Sequence, residues 1–129
     1  MNAQEFKART KHYALRVIRL VDALPGSRSS DVIARQLLRA GCFAGANYRA
    51  ACRARSRADF VAKMGIVEEE CDETLYWMEL LVESQKIAAK RVAVLMAEGE
   101  EILSMVVASL RTARSRPNPQ SAIRNPQSK

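Results

Sequence analysis

The chain has 129 residues, of which 48% are hydrophobic and only 5% aromatic, a composition that predicts one helical domain with a buried core. No run of about 18 apolar residues occurs and the start is polar, which predicts a cytoplasmic chain without a membrane helix or signal peptide. The net charge of +7 divides into +9 over residues 1–63, −7 over 64–101 and +5 over 102–129, so nucleic acid is a candidate partner.

The first predicted helix has one apolar face and ends at Pro25-Gly26-Ser27, where proline and glycine interrupt the helical pattern. Residues on this face recur every three or four positions, which is the period of an amphipathic helix: Phe6, Thr10, Tyr13, Val17, Leu20 and Leu24. Ser29 or Ser30 is the predicted N-cap of a second helix that runs to about Arg53.

The second predicted helix is apolar or small around most of its circumference. Gly41 and Gly45 stand four residues apart in it, and glycine inside a helix costs roughly 1 kcal/mol relative to alanine. Such a pair predicts that another helix approaches its backbone closely at this point. A helix with so little polar surface is expected either at the centre of its assembly or in contact with both its own bundle and a second subunit.

Ser56 through Asp59 form a predicted capping box, with aspartate at the position where glutamate is usual, and it starts a third helix. A weaker break at 84–89 precedes a fourth helix marked by Leu95, Ile102, Val106 and Leu110. The predicted fold is therefore all-α, an antiparallel up-down-up-down four-helix bundle over residues 1–114. Residues 115–129 are rich in proline and polar residues and are predicted to be a disordered, low-complexity tail.

Arginines follow one face of the second helix and continue into the turn after it. The predicted nucleic-acid-binding set is Arg35, Arg39, Arg49, Arg53 and Arg57. The planar guanidinium group can donate two hydrogen bonds to one phosphate, so a line of arginines is typical of a phosphate-binding surface. The alternative is that these arginines form ion pairs with the acidic third helix, either inside the chain or between subunits.

The acidic stretch Glu68-Glu69-Glu70-Cys71-Asp72-Glu73 raises a different candidate, a carboxylate-bridged metal site. Such sites on helix bundles need Glu-x-x-His motifs, and the single histidine, His12, is in none. The sequence therefore predicts no metal, no cofactor and no catalytic residue. Three cysteines without a CxxC spacing agree with a reducing compartment.

Two segments carry a family resemblance: ANYRAACRARSRADF, at 46–60, and IVEEECDETLYWMELL, at 66–81. They resemble the bacterial four-helix bundle proteins that are named after ribosomal-RNA intervening sequences. The resemblance implies a left-handed bundle that assembles as a ring-like homo-oligomer, commonly a pentamer, and it carries no catalytic residues. The accessory protein of diversity-generating retroelements, a basic pentamer that works with a reverse transcriptase, is similar in fold.

Two functions from different classes follow as expectations. In the first, a non-enzymatic homopentamer holds RNA or DNA by its backbone through the arginines. In the second, the protein is an interaction scaffold whose arginines pair with the acidic helix at subunit interfaces. The predicted interface residues are the same in both cases: Gly41, Gly45, Tyr48, Glu69, Glu73 and Trp77. For Trp77 the core is the default position, and the interface is a close second.

Overall fold

A computed structural model describes residues 2–116, and within this range the chain forms four α-helices and no strand. The helices are α1 (Ala3–Asp22), α2 (Arg28–Cys52), α3 (Arg57–Glu83) and α4 (Ala89–Ser115). Each helix packs beside the next one in the chain, and α4 returns to α1, as the predicted four-helix bundle requires. The predicted disordered tail, 115–129, lies outside the described residues except for its first two positions.

Side-chain caps determine where three of the helices begin. Ser56 accepts a hydrogen bond from the Asp59 backbone amide at 3.0 Å, so the predicted cap of α3 is confirmed. The predicted cap of α2 at Ser29 or Ser30 is wrong, because Ser27 has the extended backbone of a cap and accepts from the Ser30 amide at 3.2 Å. Ser30 lies inside the first turn, where its hydroxyl donates to the Pro25 carbonyl. The sequence contains several adjacent serines, and only their backbone conformations distinguish the cap.

The predicted break before α4 is confirmed, and its geometry is visible at the end of α3. Gln85 has a φ of 63°, the left-handed conformation that terminates a helix, and the Lys86 amide donates to the Leu81 carbonyl. A glycine is usual at such a position, and its absence explains why the sequence marks this break weakly. α4 then begins at Ala89, after a cap residue that offers no side-chain hydrogen bond.

The close approach predicted by Gly41 and Gly45 occurs between α2 and α1 of the same chain. A Cβ atom at Gly41 would lie 2.9 Å from Val17 Cγ1, and one at Gly45 would lie 3.1 Å from Thr10 Oγ1. Val17 is fully buried, and Thr10 turns its hydroxyl back to the Phe6 carbonyl. Because the two helices lie this close, side chains of α1 and of α2 beside their contact can reach the same ligand.

The core runs the length of the bundle and contains residues from all four helices. Its largest fully buried side chains include Tyr13, Leu37, Met78, Leu81 and Ile102. Within residues 2–116, no helix combines the length and the apolar character needed to cross a bilayer.

Candidate nucleic-acid interface

The five predicted phosphate-binding arginines lie on the surface, but they are not equivalent. Arg35, Arg49 and Arg53 are exposed, and within residues 2–116 none of the three is in an ion pair. Arg57 starts α3, and its guanidinium donates to the backbone carbonyl of Arg116 at the end of α4. Among residues 2–116, Arg39 is the only one of the five that forms ion pairs with carboxylates.

Arg39 bridges α2 to the acidic face of α3. Its Nη1 donates to both carboxylate oxygens of Glu70, at 3.2 and 3.0 Å, and its Nη2 donates to Glu73. The hydrogen bond to Glu73, followed by the charge of Glu70, raises the pKa of Arg39, so this guanidinium stays charged throughout the accessible pH range. Two carboxylates therefore neutralise Arg39, and its charge is unavailable to a phosphate without rearrangement.

A groove between α1 and α2 carries a different set of cations. Its volume is about 550 Å³, and Lys7 and Lys11 of α1 face Arg49 of α2 across it. The groove has a floor of small side chains, which include Ala8, Ala14, Gly45 and Ala46. None of the residues lining it is acidic. We call this feature, defined by Lys7, Lys11 and Arg49, the basic groove.

The contribution of α1 to the basic groove was absent from the predicted site. Lys7 and Lys11 are one turn apart, so they project from the same side of α1. That spacing is visible in the sequence, but an i,i+4 pair of lysines is also what any solvated helix face shows. Only the packing of α1 against α2 shows that these lysines face Arg49 instead of open solvent.

The predicted interface residues divide into a buried and an exposed group. Gly41, Gly45 and Tyr48 are buried against α1 of their own chain, where the Tyr48 ring meets the Phe6 ring edge-on at 4.7 Å. Glu69 is exposed, and Glu73 pairs with Arg39. Among the predicted interface residues, those on the acidic face of α3 are therefore the ones that reach solvent.

Trp77, the last of the predicted interface residues, is half-buried and packs against the core. Its ring meets that of Tyr76 edge-on, with centroids 5.0 Å apart. The Trp77 Nε1 atom is buried and, within residues 2–116, has no hydrogen-bond acceptor. Trp77 thus packs against the core, as one alternative predicts, and its neighbour Tyr76 is half-exposed. A contact of Trp77 with a second subunit stays a prediction.

Large apolar side chains are exposed on the face that α2 and α3 share. Phe43 of α2 and Tyr76 of α3 are 50% and 51% exposed, and Val32 and Ile66 are exposed to a similar degree. Phe43 is one turn from Arg39, and Ile66 is one turn from Glu70, so this apolar surface surrounds the ion pair. A surface that mixes apolar side chains with a neutralised ion pair suits a protein better than a polyanion.

A second ion-pair network joins α1 to α4. Arg9 Nη2 lies 2.7 Å from Glu98 and 2.8 Å from Glu101, and Arg9 Nε donates to the other oxygen of Glu98. The hydrogen bond from Arg9 lowers the pKa of Glu98, although partial burial acts in the opposite direction. In this network one more basic residue, Arg9, is paired with acids. The network does not include the residues of the basic groove, which lies on the other side of α1.

We expect acid to weaken this network. Because the pKa of Glu98 is lower in the folded chain than its ordinary value of 4.5, the stabilisation is present above that value and is lost as pH falls through the folded pKa. Urea unfolding of the wild type and of Glu98→Gln, measured from pH 7 to pH 3, should give a stability gap that closes below about pH 4.5. A gap that stays constant across this range would contradict the assignment.

One of the three cysteines is buried in the core of the bundle. Burial raises the pKa of the Cys71 thiol to about 12, so this cysteine remains protonated and unreactive. Within residues 2–116, no group of three or more His, Cys, Asp or Glu side chains is placed to hold a metal ion.

Comparison with known proteins places the chain in a family. The sequence profile described as the 23S rRNA-intervening sequence protein matches residues 3–108. The chain belongs to this family. The resemblance predicted from the segments at 46–60 and 66–81 is therefore confirmed.

A solved structure supports the same assignment. This 23S rRNA-intervening sequence family chain is 32% identical to a protein of unknown function from the S23 ribosomal protein family of Bacteroides thetaiotaomicron. The similarity covers 86% of this chain and 99% of the other, with a TM-score of 0.79. No curated protein matches the chain. The comparisons thus establish the family and the fold.

Proposed function

We propose that this protein is a non-enzymatic, cytoplasmic homo-oligomer that binds the phosphate backbone of RNA or DNA in the basic groove. The observation that carries the proposal is a groove lined by Lys7, Lys11 and Arg49 and by no carboxylate. Arg35 and Arg53 extend this positive charge along the exposed side of α2. We call the side that carries Arg35, Arg49 and Arg53 the α2 ridge. The ring-like pentamer implied by the family resemblance would repeat this groove around one assembly.

The chemistry of the groove favours contacts with the backbone and not with bases. No aromatic side chain lines it, so it offers no surface on which bases could stack. Arg49 can form a two-pronged hydrogen bond to one phosphate, while the two lysines act as point charges. Such a site positions a polyanion without reading its sequence.

The names of the family and of the solved relative both refer to ribosomal material, which makes a structured ribosomal RNA the first probe. We would titrate the labelled RNA with protein and follow fluorescence anisotropy at about 50 and 200 mM salt. Five cations, three in the basic groove and two along the α2 ridge, predict binding roughly 500-fold weaker at the higher salt. No binding at the lower salt concentration would contradict the proposal.

A second candidate, the interaction scaffold, is favoured by one specific observation. Arg39 is already paired with Glu70 and Glu73, and exposed apolar residues surround that pair. If the remaining ridge arginines pair in the same way with acidic helices of other subunits, their charge holds the oligomer together. The mass of a variant with reversed ridge charges separates the two functions, because only the scaffold requires those arginines for assembly.

A further inference from the structure

A second basic cavity lies between the C-terminal half of α1 and the start of α4. It has a volume of about 330 Å³, and three arginines line it: Arg16 and Arg19 from α1, and Arg91 from α4. None of its lining residues is acidic. Arg91 lies in the first turn of α4 and Arg49 in the last turn of α2, and the antiparallel arrangement places these points at opposite ends of the bundle. The cavity is therefore separate from the basic groove.

The rest of this cavity is lined by apolar side chains, several of them large, whereas the apolar floor of the basic groove consists of small residues. Ile87 and Leu95 contribute buried side chains to it, and Val94 at its edge is 71% exposed, the largest exposure of any large apolar side chain in residues 2–116. Leu20 and Ala23 complete the apolar part. A ligand that only carried charge would leave this apolar surface in contact with water, whereas a ligand with an apolar part would cover it.

Positive charge is concentrated around the cavity. Lys90 and Arg91 occupy the first turn of α4, which contains no acid, and the free amide groups of a helix start are themselves positive. The charge of Arg16 acts on Glu98, but Glu98 is hydrogen-bonded to Arg9. Three guanidinium groups therefore line one cavity, and within residues 2–116 none of them is in an ion pair.

We propose that this cavity binds a small organic phosphate. The phosphate groups would accept hydrogen bonds from Arg16, Arg19 and Arg91, because planar guanidinium groups match phosphate oxygens in pairs. The apolar or aromatic part of the ligand would lie over Val94 and Leu95. The size of the cavity, at the lower end of the range for ligand pockets, fits a molecule of nucleotide size.

Three probes distinguish the two halves of the proposed ligand. Isothermal titration would compare ATP, which has both parts, with inorganic tripolyphosphate, which has only the charge, and with adenosine, which has only the apolar part. We expect ATP to bind about tenfold more tightly than tripolyphosphate and adenosine not to bind measurably, since the two parts act together. Equal affinity for ATP and tripolyphosphate would overturn the proposal.

Substitutions test whether ATP binds in this cavity. Arg19→Ala/Arg91→Ala removes two exposed guanidinium groups and should weaken ATP binding at least about tenfold, because charge-assisted hydrogen bonds to phosphate are lost. Val94→Glu changes a side chain outside the core and should weaken ATP binding by repulsion. The matched control is Arg111→Ala/Arg114→Ala, at the other end of α4, which should bind ATP as the wild type does. ATP affinity that is unchanged in Arg19→Ala/Arg91→Ala, or equally weakened in the control, would overturn the site.

Discussion

Reversing Arg49 and Arg53 to glutamate is expected to weaken the binding of structured RNA on the order of 100-fold at about 50 mM salt. Arg49 lines the basic groove and Arg53 follows it one turn later on the same ridge. The double reversal removes two cations and adds two anions to a surface without carboxylates. The salt slope should also fall by about two, since two fewer counterions are released.

The control for this experiment reverses the same amount of charge elsewhere. Arg28→Glu/Lys86→Glu acts at the opposite end of the bundle, where α2 starts and α3 has just ended, and should bind RNA nearly as the wild type does. Equal weakening in both variants would mean that the total charge, and not the basic groove, attracts RNA. That outcome would contradict the proposed site.

Folding must be checked because Arg53 caps the C-terminus of α2, where a positive charge stabilises the helix by roughly 0.3–1 kcal/mol. Circular dichroism at increasing temperature would show whether the variant remains folded. Lys7→Glu/Lys11→Glu provides a second test that leaves α2 unchanged and should lose RNA binding to a similar degree.

The same Arg49→Glu/Arg53→Glu variant also distinguishes the two proposed functions. Light scattering would give the mass of the assembly with and without the two reversals. An unchanged mass together with lost RNA binding supports the phosphate-binding function. A mass that falls to that of smaller species supports the scaffold, because the arginines would then join subunits.

Gly99→Ala is expected to destabilise the folded chain by about 2 kcal/mol, although alanine is the better helix former. A Cβ atom at Gly99 would overlap the Tyr13 hydroxyl and lie 3.0 Å from Leu75 Cδ2. Tyr13 is only 1% exposed, so its ring cannot swing into solvent to make room. The gain in helix propensity, roughly 1 kcal/mol, is therefore smaller than the cost of the overlap.

A double-mutant cycle with Tyr13→Phe tests the cause. The Tyr13 hydroxyl is buried and, within residues 2–116, has no hydrogen-bond partner, so removing it should cost little or even stabilise the chain. In the Tyr13→Phe background, Gly99→Ala should cost at least about 1 kcal/mol less than in the wild type, as urea unfolding would measure. If the cost is the same in both backgrounds, contact with the hydroxyl is not its origin.

The helical pattern of the sequence determined the number of helices, their order and most of their boundaries. Apolar residues recur with the helical period through each helix. Pro25-Gly26 and Ser56 interrupt this period, because the backbone conformations that these residues prefer depend on local sequence alone. Local preference also explains the error at Ser29 and Ser30. Three serines, Ser27, Ser29 and Ser30, lie close together, and which one caps α2 depends on the path of the chain from Pro25.

The sequence alone also predicted the face of α2 that carries the arginines, because the spacing of residues within one helix determines which of them share a face. What each arginine does was decided by the tertiary structure. Glu70 and Glu73 reach Arg39 because α3 packs antiparallel to α2 in a particular register, while Arg49 faces α1, where lysines and no acids lie opposite. The basic groove and the second basic cavity each combine residues from two helices. Which residues line them depends on how the helices pack together, and the pattern within a single helix does not contain that information. The sequence alone therefore determined the charges, and packing decided which of them remain available.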